Sequence, residues 1–336
     1  MPKISIIIPV RTITNYLRES LPFLLDLDYK NYEVLIFTDE KETLVCESSK
    51  IKVIPSGKVG PAEKRNLALK YATGEILAFL DDDAYPTKNW LTNAQKAFSS
   101  EYCGVGGPSI TPPNENFMAT VSGDVLSSFL TSGGTVHRHT PQNARVVDDY
   151  PTVNLFVMKK DFESVGGFSP EFWPGEDTKL CLDLINHTGK KIFYSPDVLV
   201  YHHRRELFTP HLKQISRYGM HRGQFARIFP ETSRKLQYFI PSVFVCGLAL
   251  GFLFSLLFPV VFVAYIASLA FYFSILIIEG SKVLWKRRSL LFLIYFVIGV
   301  FLTHVVYGVN FIYGLFVRPK LNLRSVDKKT NKYLGG

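Results

Sequence analysis

The chain has 336 residues and a mass of 38.1 kDa, which suits one globular domain of about 200 residues plus a smaller part. Its 38 Lys and Arg residues exceed its 29 Asp and Glu residues, so the net charge is +9. Residues 279–336 hold ten Lys and Arg against two acidic residues, a balance of +8, and they belong to the most apolar end of the chain. This distribution argues against a nucleic-acid-binding protein.

The first 80 residues alternate between strand and helix patterns. The apolar runs predict strands at residues 4–8, 34–37, 51–54 and 76–80, and the helical spacings predict helices at 15–27 and 62–72. Such alternation is typical of an α/β fold with a parallel sheet. Ligands of these sheets bind beyond the carboxyl ends of the strands, where Asp39 and Asp81 follow their strands. No GxGxxG follows the first strand, which argues against a dinucleotide-dependent dehydrogenase.

The middle of the chain is less regular. Residues 111–150 are rich in Pro, Ser, Gly and Asn, and we predict a loop there that could form a flap over a site. Beyond it, the pattern predicts strands at 153–158, 192–194 and 198–201 and a helix at 178–187.

Three adjacent carboxylates, Asp81, Asp82 and Asp83, follow the fourth predicted strand. A solvated turn is one interpretation. The other is a divalent metal site, because a cation relieves the repulsion between close carboxylates and also binds phosphate oxygens. Lys64 and Arg65 could balance the charge of a diphosphate.

Two further clusters carry polar side chains. Glu176 and Asp177 precede the predicted helix at 178–187, where acids often serve only as caps. Alternatively, Glu176 is the cap and Asp177 is a general base. The run from His202 to Arg205 is either a basic surface cluster or the source of an imidazole that joins Asp83 at a metal of the Mn²⁺ type.

Residues 208–229 predict a basic amphipathic helix. Its composition suits the anionic interface of a membrane, with an ordinary surface helix as the alternative.

Long uncharged runs follow this helix. Residues 238–278 contain no Asp, Glu, Lys or Arg and are long enough for two spanning helices with a turn at Pro259. The basic loop 282–288 predicts a cytosolic connection, and no signal peptide is evident, so we expect residues 1–237 on the cytosolic face. The third run, 289–317, fits either a single span or a re-entrant or in-plane segment. Cys46, Cys103, Cys181 and Cys246 lack a metal-ligand spacing, and we expect reduced thiols.

Several of these stretches, in this order, resemble the motif series of family 2 glycosyltransferases. The stretches are residues 4–10, 33–39, 60–66, 79–86, 166–168, 175–177 and 196–202. The resemblance covers roughly residues 3–225 and implies a GT-A fold, in which a mixed α/β sheet binds a nucleotide-sugar. The implied organisation is a catalytic domain at 1–207, an amphipathic interface helix region at 208–237, a transmembrane region at 238–317 and a basic tail at 318–336. Residues 214–218 are similar to the QxxRW motif of processive members, with Tyr218 in place of Trp. The late motifs look like those of the membrane-attached, succinoglycan-type branch.

The resemblance also implies roles for individual residues. Asp177 would be the catalytic base, and the metal ligands would be Asp83 and His202. The donor-binding residues would be Pro9, Arg11, Asp39, Lys64, Arg65, Asp81 and Asp82, and the acceptor side would include Trp173, Gly175, Glu176, Gln214, Arg217 and Tyr218.

The implied activity is inverting, Mn²⁺- or Mg²⁺-dependent transfer of a sugar from a nucleotide-diphosphate sugar. The expected acceptor is a hydroxyl of a polyprenyl-linked or membrane-proximal saccharide. One alternative is an enzyme that transfers the sugar directly to polyprenyl phosphate, which would need less help from Asp177 because its acceptor is already ionised. Another is an inactive membrane scaffold that binds a nucleotide-sugar or anionic lipid.

Overall fold

The computed structural model describes residues 1–44 and 48–317, together with the backbone of a strand pair at Val326–Asp327 and Lys332–Tyr333. Cys46 and, apart from that pair, the predicted basic tail lie outside the described residues. The described chain divides into two compact units. Within residues 1–317, the first contains Met1–Pro112 and Thr140–His203, and the second contains Pro113–His139 and residues 204–317. The predicted catalytic domain, 1–207, therefore differs from the first unit, which lacks residues 113–139 and 204–207.

The first unit contains two sheets. Their strands are β1 (Ile4–Pro9), β2 (Tyr32–Thr38), β3 (Ile51–Pro55), β4 (Ile76–Leu80), β5 (Ala84–Pro86), β6 (Tyr102–Gly106), β7 (Ser109–Ile110), β8 (Arg145–Val147), β9 (Asn154–Met158), β10 (Lys191–Tyr194) and β11 (Val200–His202). The larger sheet has the order β3-β2-β1-β4-β9-β6-β10-β8, and the smaller has the order β5-β11-β7.

The α-helices of both units are numbered together along the chain. They are α1 (Asn15–Leu25), α2 (Pro61–Asn66), α3 (Ala68–Tyr71), α4 (Trp90–Ala97), α5 (Phe117–Leu126), α6 (Phe129–Ser132), α7 (Lys159–Ser164), α8 (Glu176–Thr188), α9 (Thr209–Ile228), α10 (Pro230–Ser233), α11 (Leu236–Ser255), α12 (Pro259–Arg287) and α13 (Leu290–Phe316). Short 3₁₀ turns lie at Gly133–Arg138 and Pro170–Phe172.

The larger sheet is mixed. Strands β1 to β4 pair in parallel, as their apolar runs predict, so their carboxyl ends meet at one edge. Strand β9 is antiparallel to both β4 and β6, and β8 is antiparallel to β10. The residue pattern alone indicated a parallel sheet; the resemblance correctly implied a mixed one.

The two faces of the sheet are both covered, which explains why its central strands are almost wholly apolar. Ile6 and Ile36 face one layer, where Leu17 of α1 and Trp90 of α4 pack. Neighbouring residues of the same strands face the other layer, built by α2, α3, α7 and α8. The predicted helix at 62–72 is two shorter helices, α2 and α3, with Leu67 between them.

The prediction of a loop at 111–150 was wrong. This stretch contains α5, buried over most of its length, as well as α6 and β8. Its polar residues have partners far along the chain: Ser122 Oγ lies 2.9 Å from His211 Nδ1, and Asp124 accepts two hydrogen bonds of 2.9 Å from the Arg287 guanidinium. These partners explain how Ser122 and Asp124 can be buried within a mostly apolar helix of the second unit.

Three helices of the second unit, α11, α12 and α13, are long and apolar enough to cross a membrane by length and composition. The prediction of two helices in 238–278 is confirmed, and the turn between them ends at Pro259, the first residue of α12. The prediction of a basic loop at 282–288 was wrong, because α12 continues to Arg287. The third run forms one unbroken helix of 27 residues.

Asn154 provides a test of how the first unit holds together. Its buried side chain accepts a hydrogen bond from Trp90 Nε1 (2.9 Å) and donates to the carbonyl oxygens of Gly107 and Val198 (2.7 Å each). Asn154→Leu removes the partner of Trp90 Nε1 and of the Val198 carbonyl, at roughly 1–3 kcal/mol for each group, while the Gly107 carbonyl keeps its hydrogen bond from the Tyr150 hydroxyl (2.9 Å). We expect a clearly lower melting temperature in detergent. The matched control is Asn143→Ala at an exposed position, and equal melting temperatures of the two variants would contradict the assignment.

Candidate active site

The acidic cluster lies where β4 ends at the carboxyl edge of the larger sheet. Strand β5 begins directly after it and pairs with β11 in antiparallel register, with Ala84 opposite His202. This register brings His202 beside Asp83, and its Nε2 lies 3.1 Å from Asp83 Oδ1. The backbone N–H of His203 also donates to the carbonyl oxygen of Asp83 (2.9 Å). Pairing between two short strands thus fixes the position of the cluster relative to the imidazole.

Asp81, Asp83 and His202 each offer one ligand atom, and these atoms lie within 4.8 Å of one another. All three side chains are half-buried. Two carboxylates and one imidazole are a donor set that suits Mn²⁺, and their partial exposure leaves room for further ligands. The residues present therefore fit a divalent cation of this kind.

Asp82, the middle residue of the cluster, accepts a hydrogen bond from Thr14 Oγ1 (3.0 Å). Thr14 is also the N-cap of α1, where its side chain accepts from the backbone N–H of Leu17. Burial raises the pKa of Asp82 to about 6, and the charges of Asp83 and Asp81 add to this effect. The carboxylates of the cluster therefore repel one another. Thr14 was not among the predicted site residues, although a Thr directly before a helical pattern is a cap signal.

Arg65 joins the cluster to the start of α8. Its guanidinium donates to Asp81 Oδ1 (2.7 Å) and to Glu176 Oε1 (3.2 Å), and its side chain is only 5% exposed. The structure thus brings together residues that are 111 positions apart in the chain. Burial of Glu176 and the adjacent charge of Asp177 raise the pKa of Glu176 to about 7, although Arg65 opposes the shift.

Lys64 has a different partner from the one expected. Its ammonium group is buried and donates to a carboxylate oxygen of Asp39 and to the carbonyl oxygen of Val10. Burial lowers the pKa of Lys64, while the nearby Asp39 opposes the shift. Asp39 follows β2, and its backbone N–H donates to Arg11 O (2.9 Å), so the predicted base-pocket residues do lie at adjacent strand ends.

Asn66, the next residue of α2, fixes the glycine-rich turn before α8. Its Nδ2 donates to Phe168 O (2.8 Å), and its Oδ1 accepts from Phe168 N (2.7 Å). Gly167 has φ of +81°, and a Cβ there would meet the Asn66 side chain, so a glycine is required. The Arg65 guanidinium lies 5.8 Å from the centre of the Phe168 ring. Asn66 belongs to one of the motifs that resemble the family, but no role was predicted for it.

The acceptor-side residues of the first unit lie at the start of α8. Trp173 is buried, and Gly175 is the N-cap residue of the helix. Asp177 is half-buried in the first turn, where its Oδ1 accepts a hydrogen bond from the backbone N–H of Thr178 (2.7 Å). The prediction that acids occupy this N-terminus is confirmed, and the contact with Arg65 places Glu176 next to the acidic cluster.

The remaining predicted acceptor residues belong to α9 in the second unit. Gln214 Nε2 donates to the Tyr218 hydroxyl (2.9 Å), one turn along the helix. Burial and the charge of Arg205 lower the pKa of Arg217. Their role towards an acceptor stays a prediction.

Two family models match this chain. The model of glycosyl transferase family 2 matches residues 5–136, and the model of glycosyl transferase family group 2 matches residues 76–278. The second match covers more than half of the chain. The chain belongs to the family 2 glycosyltransferases.

Individual members of the family extend this comparison. The pre-mycofactocin glycosyltransferase of Mycobacterium tuberculosis is 27% identical over 242 residues, which are 69% of this chain and 49% of the relative. The chain therefore spans about half the length of that protein. A Methanococcus voltae relative is 28% identical over 330 residues, which are 93% of this chain and 97% of the relative. That protein is named dolichyl N-acetyl-alpha-D-glucosaminyl phosphate 3-beta-D-2,3-diacetamido-2,3-dideoxy-beta-D-glucuronosyltransferase.

A solved structure confirms the fold of this family 2 glycosyltransferase. The mannosyltransferase PcManGT of Pyrobaculum calidifontis, solved in complex with GDP-Man and Mn²⁺, superposes with a TM-score of 0.51 at 17% identity. The match covers 92% of this chain and 87% of that structure. The mixed sheet of the first unit is thus of the GT-A type.

The contacts of Arg65 yield a prediction about stability. Arg65→Met leaves two carboxylates without their buried cation, and breaking such a pair costs about 3–5 kcal/mol. We expect a large fall in melting temperature in detergent. The melting temperature should recover partly in Arg65→Met/Glu176→Gln, because this variant removes one of the two carboxylates left without a partner.

The matched control is Lys58→Met. Lys58 pairs with Glu40 at 3.5 Å on the surface, where such a contact contributes less than about 1 kcal/mol. If Arg65→Met melted like Lys58→Met, the bridge would not hold the site together.

Proposed function

We propose that this chain is an inverting glycosyltransferase that transfers a sugar from a nucleoside-diphosphate sugar to a hydroxyl of a lipid-linked saccharide at a membrane surface. The observation that carries the proposal is the bridge from Arg65 to Asp81 and Glu176. It brings a set of residues that fits a divalent cation together with the acidic N-terminus of α8. A donor and its acceptor need these two parts of a site side by side.

The donor side rests on the cluster after β4. Asp81, Asp83 and His202 would hold Mn²⁺ or Mg²⁺, which would supply positive charge to the diphosphate as it leaves. The Mn²⁺ and GDP-Man in the PcManGT structure are consistent with this assignment. Pro9, Arg11 and Asp39, at the ends of β1 and β2, would receive the nucleotide base.

Asp177 would remove the proton from the acceptor hydroxyl as the oxygen attacks the anomeric carbon. The hydrogen bond from Thr178 N orients its carboxylate, and the amino end of α8 favours a negative charge there. A single base that activates the acceptor directly, without a covalent sugar–enzyme intermediate, gives inversion of the anomeric configuration.

The acceptor class rests on the second unit and on the Methanococcus voltae relative, whose name specifies a dolichyl-linked saccharide. Helices α11 and α12 would anchor the chain in the bilayer. The basic residues 282–288 would place the connection after α12, and with it residues 1–237, on the cytosolic face. A lipid-linked saccharide would present its hydroxyl at that surface.

The decisive experiment is a donor screen with the purified full chain. UDP-, GDP- and dTDP-sugars are incubated with Mn²⁺ and a lipid extract, and the lipid products are identified by mass spectrometry. We expect one donor to extend a lipid-linked saccharide. A product in which the sugar is bound directly to polyprenyl phosphate would replace the proposed acceptor with the alternative one, and no transfer from any donor would refute the proposal.

The proposed base gives a kinetic prediction. Asp177→Asn keeps the size of the side chain but cannot accept the proton, so turnover should fall roughly 10²–10⁴-fold while donor affinity is retained. The control is Asp183→Asn on the same helix, whose carboxylate pairs with Lys179, and we expect near-normal rates from it. Normal turnover by Asp177→Asn would exclude it as the base.

The proposed cation gives a binding prediction. Asp83→Ala and His202→Ala should each weaken Mn²⁺-dependent binding of a nucleoside diphosphate at least tenfold in calorimetry, because each removes a ligand. His187→Ala, which removes an exposed imidazole at the end of α8, should bind like the wild type. Unchanged binding in the first two variants, or binding that needs no divalent cation, would refute this assignment.

A further inference from the structure

Helices α11 and α12 form an antiparallel hairpin within the second unit. A Cβ on Gly251 of α11 would lie 2.7 Å from the Tyr265 ring of α12, and Phe244 stacks on Tyr272. As the contacts move towards the end of α11, they therefore move back towards the start of α12. We call the open end of this hairpin the hairpin base. It consists of residues 236–245, at the start of α11, and residues 272–283, towards the end of α12.

Helix α13 contacts the α12 arm of this base in the antiparallel sense. A Cβ on Gly280 would lie 3.2 Å from the Phe296 ring, and further along α13 the Tyr272 hydroxyl lies 2.8 Å from His304 Nδ1. From one contact to the next, the residue numbers therefore increase along α13 while they decrease along α12.

The α11 arm meets α13 in the same antiparallel sense. Phe244 contacts the ring of Phe301, Ser242 Oγ donates to Gly308 O (3.1 Å), and the Phe239 ring lies against Phe311. A helix parallel to the hairpin axis would run with one arm and against the other. Because the contacts of α13 run antiparallel to both arms, α13 crosses the base of the hairpin instead of running along its axis.

Helix α9 runs alongside the second half of α13 in the parallel sense. His211 Nε2 lies 2.9 Å from Thr303 Oγ1, and Ser216 Oγ lies 2.8 Å from Asn310 Oδ1. At the far end, Arg227 contacts the Leu315 carbonyl at 3.5 Å. The two backbones approach closely because α9 has glycine at 219 and 223; a Cβ at Gly219 would lie 2.6 Å from Tyr307 O.

This pairing changes the interpretation of α9. Its apolar residues Ile215 and Phe225 are buried, and its glycines pack on α13, so much of the predicted apolar face is covered by protein, although Tyr218 is 43% exposed. Along the same stretch α9 carries four cationic side chains: Lys213, Arg217, Arg222 and Arg227. If α13 crossed the bilayer, α9 would carry these charges through the hydrocarbon beside it, which is strongly unfavourable.

The exposed surface of α13 is one apolar stripe along its length. Its large exposed side chains are Leu290, Leu291, Ile294, Ile298, Val309, Tyr313 and Phe316. The spacing of mostly three or four residues, or multiples of it, keeps them on one face. The positions that contact α9, among them Thr303, Tyr307 and Gly314, fall on another face.

We propose that α13 is not a third membrane span but lies in the plane of the cytosolic membrane interface, where it crosses the base of the α11–α12 hairpin. Its apolar stripe enters the lipid, and α9 lies along it with Lys213, Arg217 and Arg227 at the level of the phosphate headgroups. The fourth basic side chain, Arg222, is buried and donates to Ser233 Oγ. Exposed Trp285 and Lys282, at the end of α12, belong to the same interfacial level. The chain then leaves α13 on the face from which it entered α11.

Depth measurements along the stripe test this arrangement. Cysteines are introduced singly at Ile294, Val309 and Phe316 of the full chain, in which Cys46 and Cys246 are replaced by serine. Spin labels at these sites are then compared in liposomes by their collision rates with oxygen and with a nickel chelate. We expect three similar depths. A spanning helix would separate the first and last labels by about 33 Å at 1.5 Å per residue, and such a gradient would overturn the proposal.

The hairpin supplies the matched control. Val263 and Ile278 of α12 are similarly exposed, at 67% and 66%, and their labels should differ in depth by about 22 Å. Equal depths at these two positions would contradict the hairpin that the proposed arrangement requires.

Labelling of intact cells gives a second, independent readout. A membrane-impermeant maleimide should reach Leu257→Cys, in the turn of the hairpin, and should reach Trp285→Cys and Gly336→Cys only after permeabilisation. Labelling of Gly336→Cys in intact cells to the extent seen for Leu257→Cys would place the end of the chain outside and overturn the proposal.

Discussion

The first unit depends on one buried cation. Arg65 reaches from α2 to Asp81 after β4 and to Glu176 at the start of α8, so a single guanidinium joins two elements that no sheet hydrogen bond connects. A buried ion pair of this kind contributes little net stability compared with apolar packing. Removal of one partner is nevertheless costly, because it leaves the other charge buried without a partner. Its main consequence is therefore geometric: the acidic strand end and the acidic helix end have a fixed separation.

The charges at this edge of the sheet have a consequence for the donor. From the sequence, Lys64 and Arg65 were predicted to balance the charge of a diphosphate. In the structure both form ion pairs with carboxylates of the protein: Lys64 with Asp39, and Arg65 with Asp81 and Glu176. A diphosphate would add negative charge to a region that is already acidic. In the proposed function, a divalent cation on Asp81, Asp83 and His202 would supply the opposing charge.

The sequence was informative where local pattern and function coincide. Strand β4 and the acids that follow it were predicted with the correct bounds, because a buried strand and a carboxylate-rich turn both leave local signals. Asn154 left no such signal, since its partners, Trp90, Gly107 and Val198, are all more than 40 residues away. The prediction missed helix α5 for the same reason. Thr120, Ser122 and Asp124 interrupt its apolar residues, and the partners of Ser122 and Asp124, His211 and Arg287, lie far along the chain and leave no local signal.

Composition also cannot separate a helix that crosses a bilayer from one that lies on it. Helix α13 is as long and apolar as α12, and both were open to the same interpretation from sequence. What distinguishes α13 from α12 is that α13 also packs against a helix with cationic side chains. Apart from their contacts with each other and with α13 at the hairpin base, the two arms expose apolar surface, whereas α13 is also paired along half its length with α9, which carries four cationic side chains. Since the cost of burying charge applies to the packed pair as a whole, the polarity of α9 decides the placement of α13.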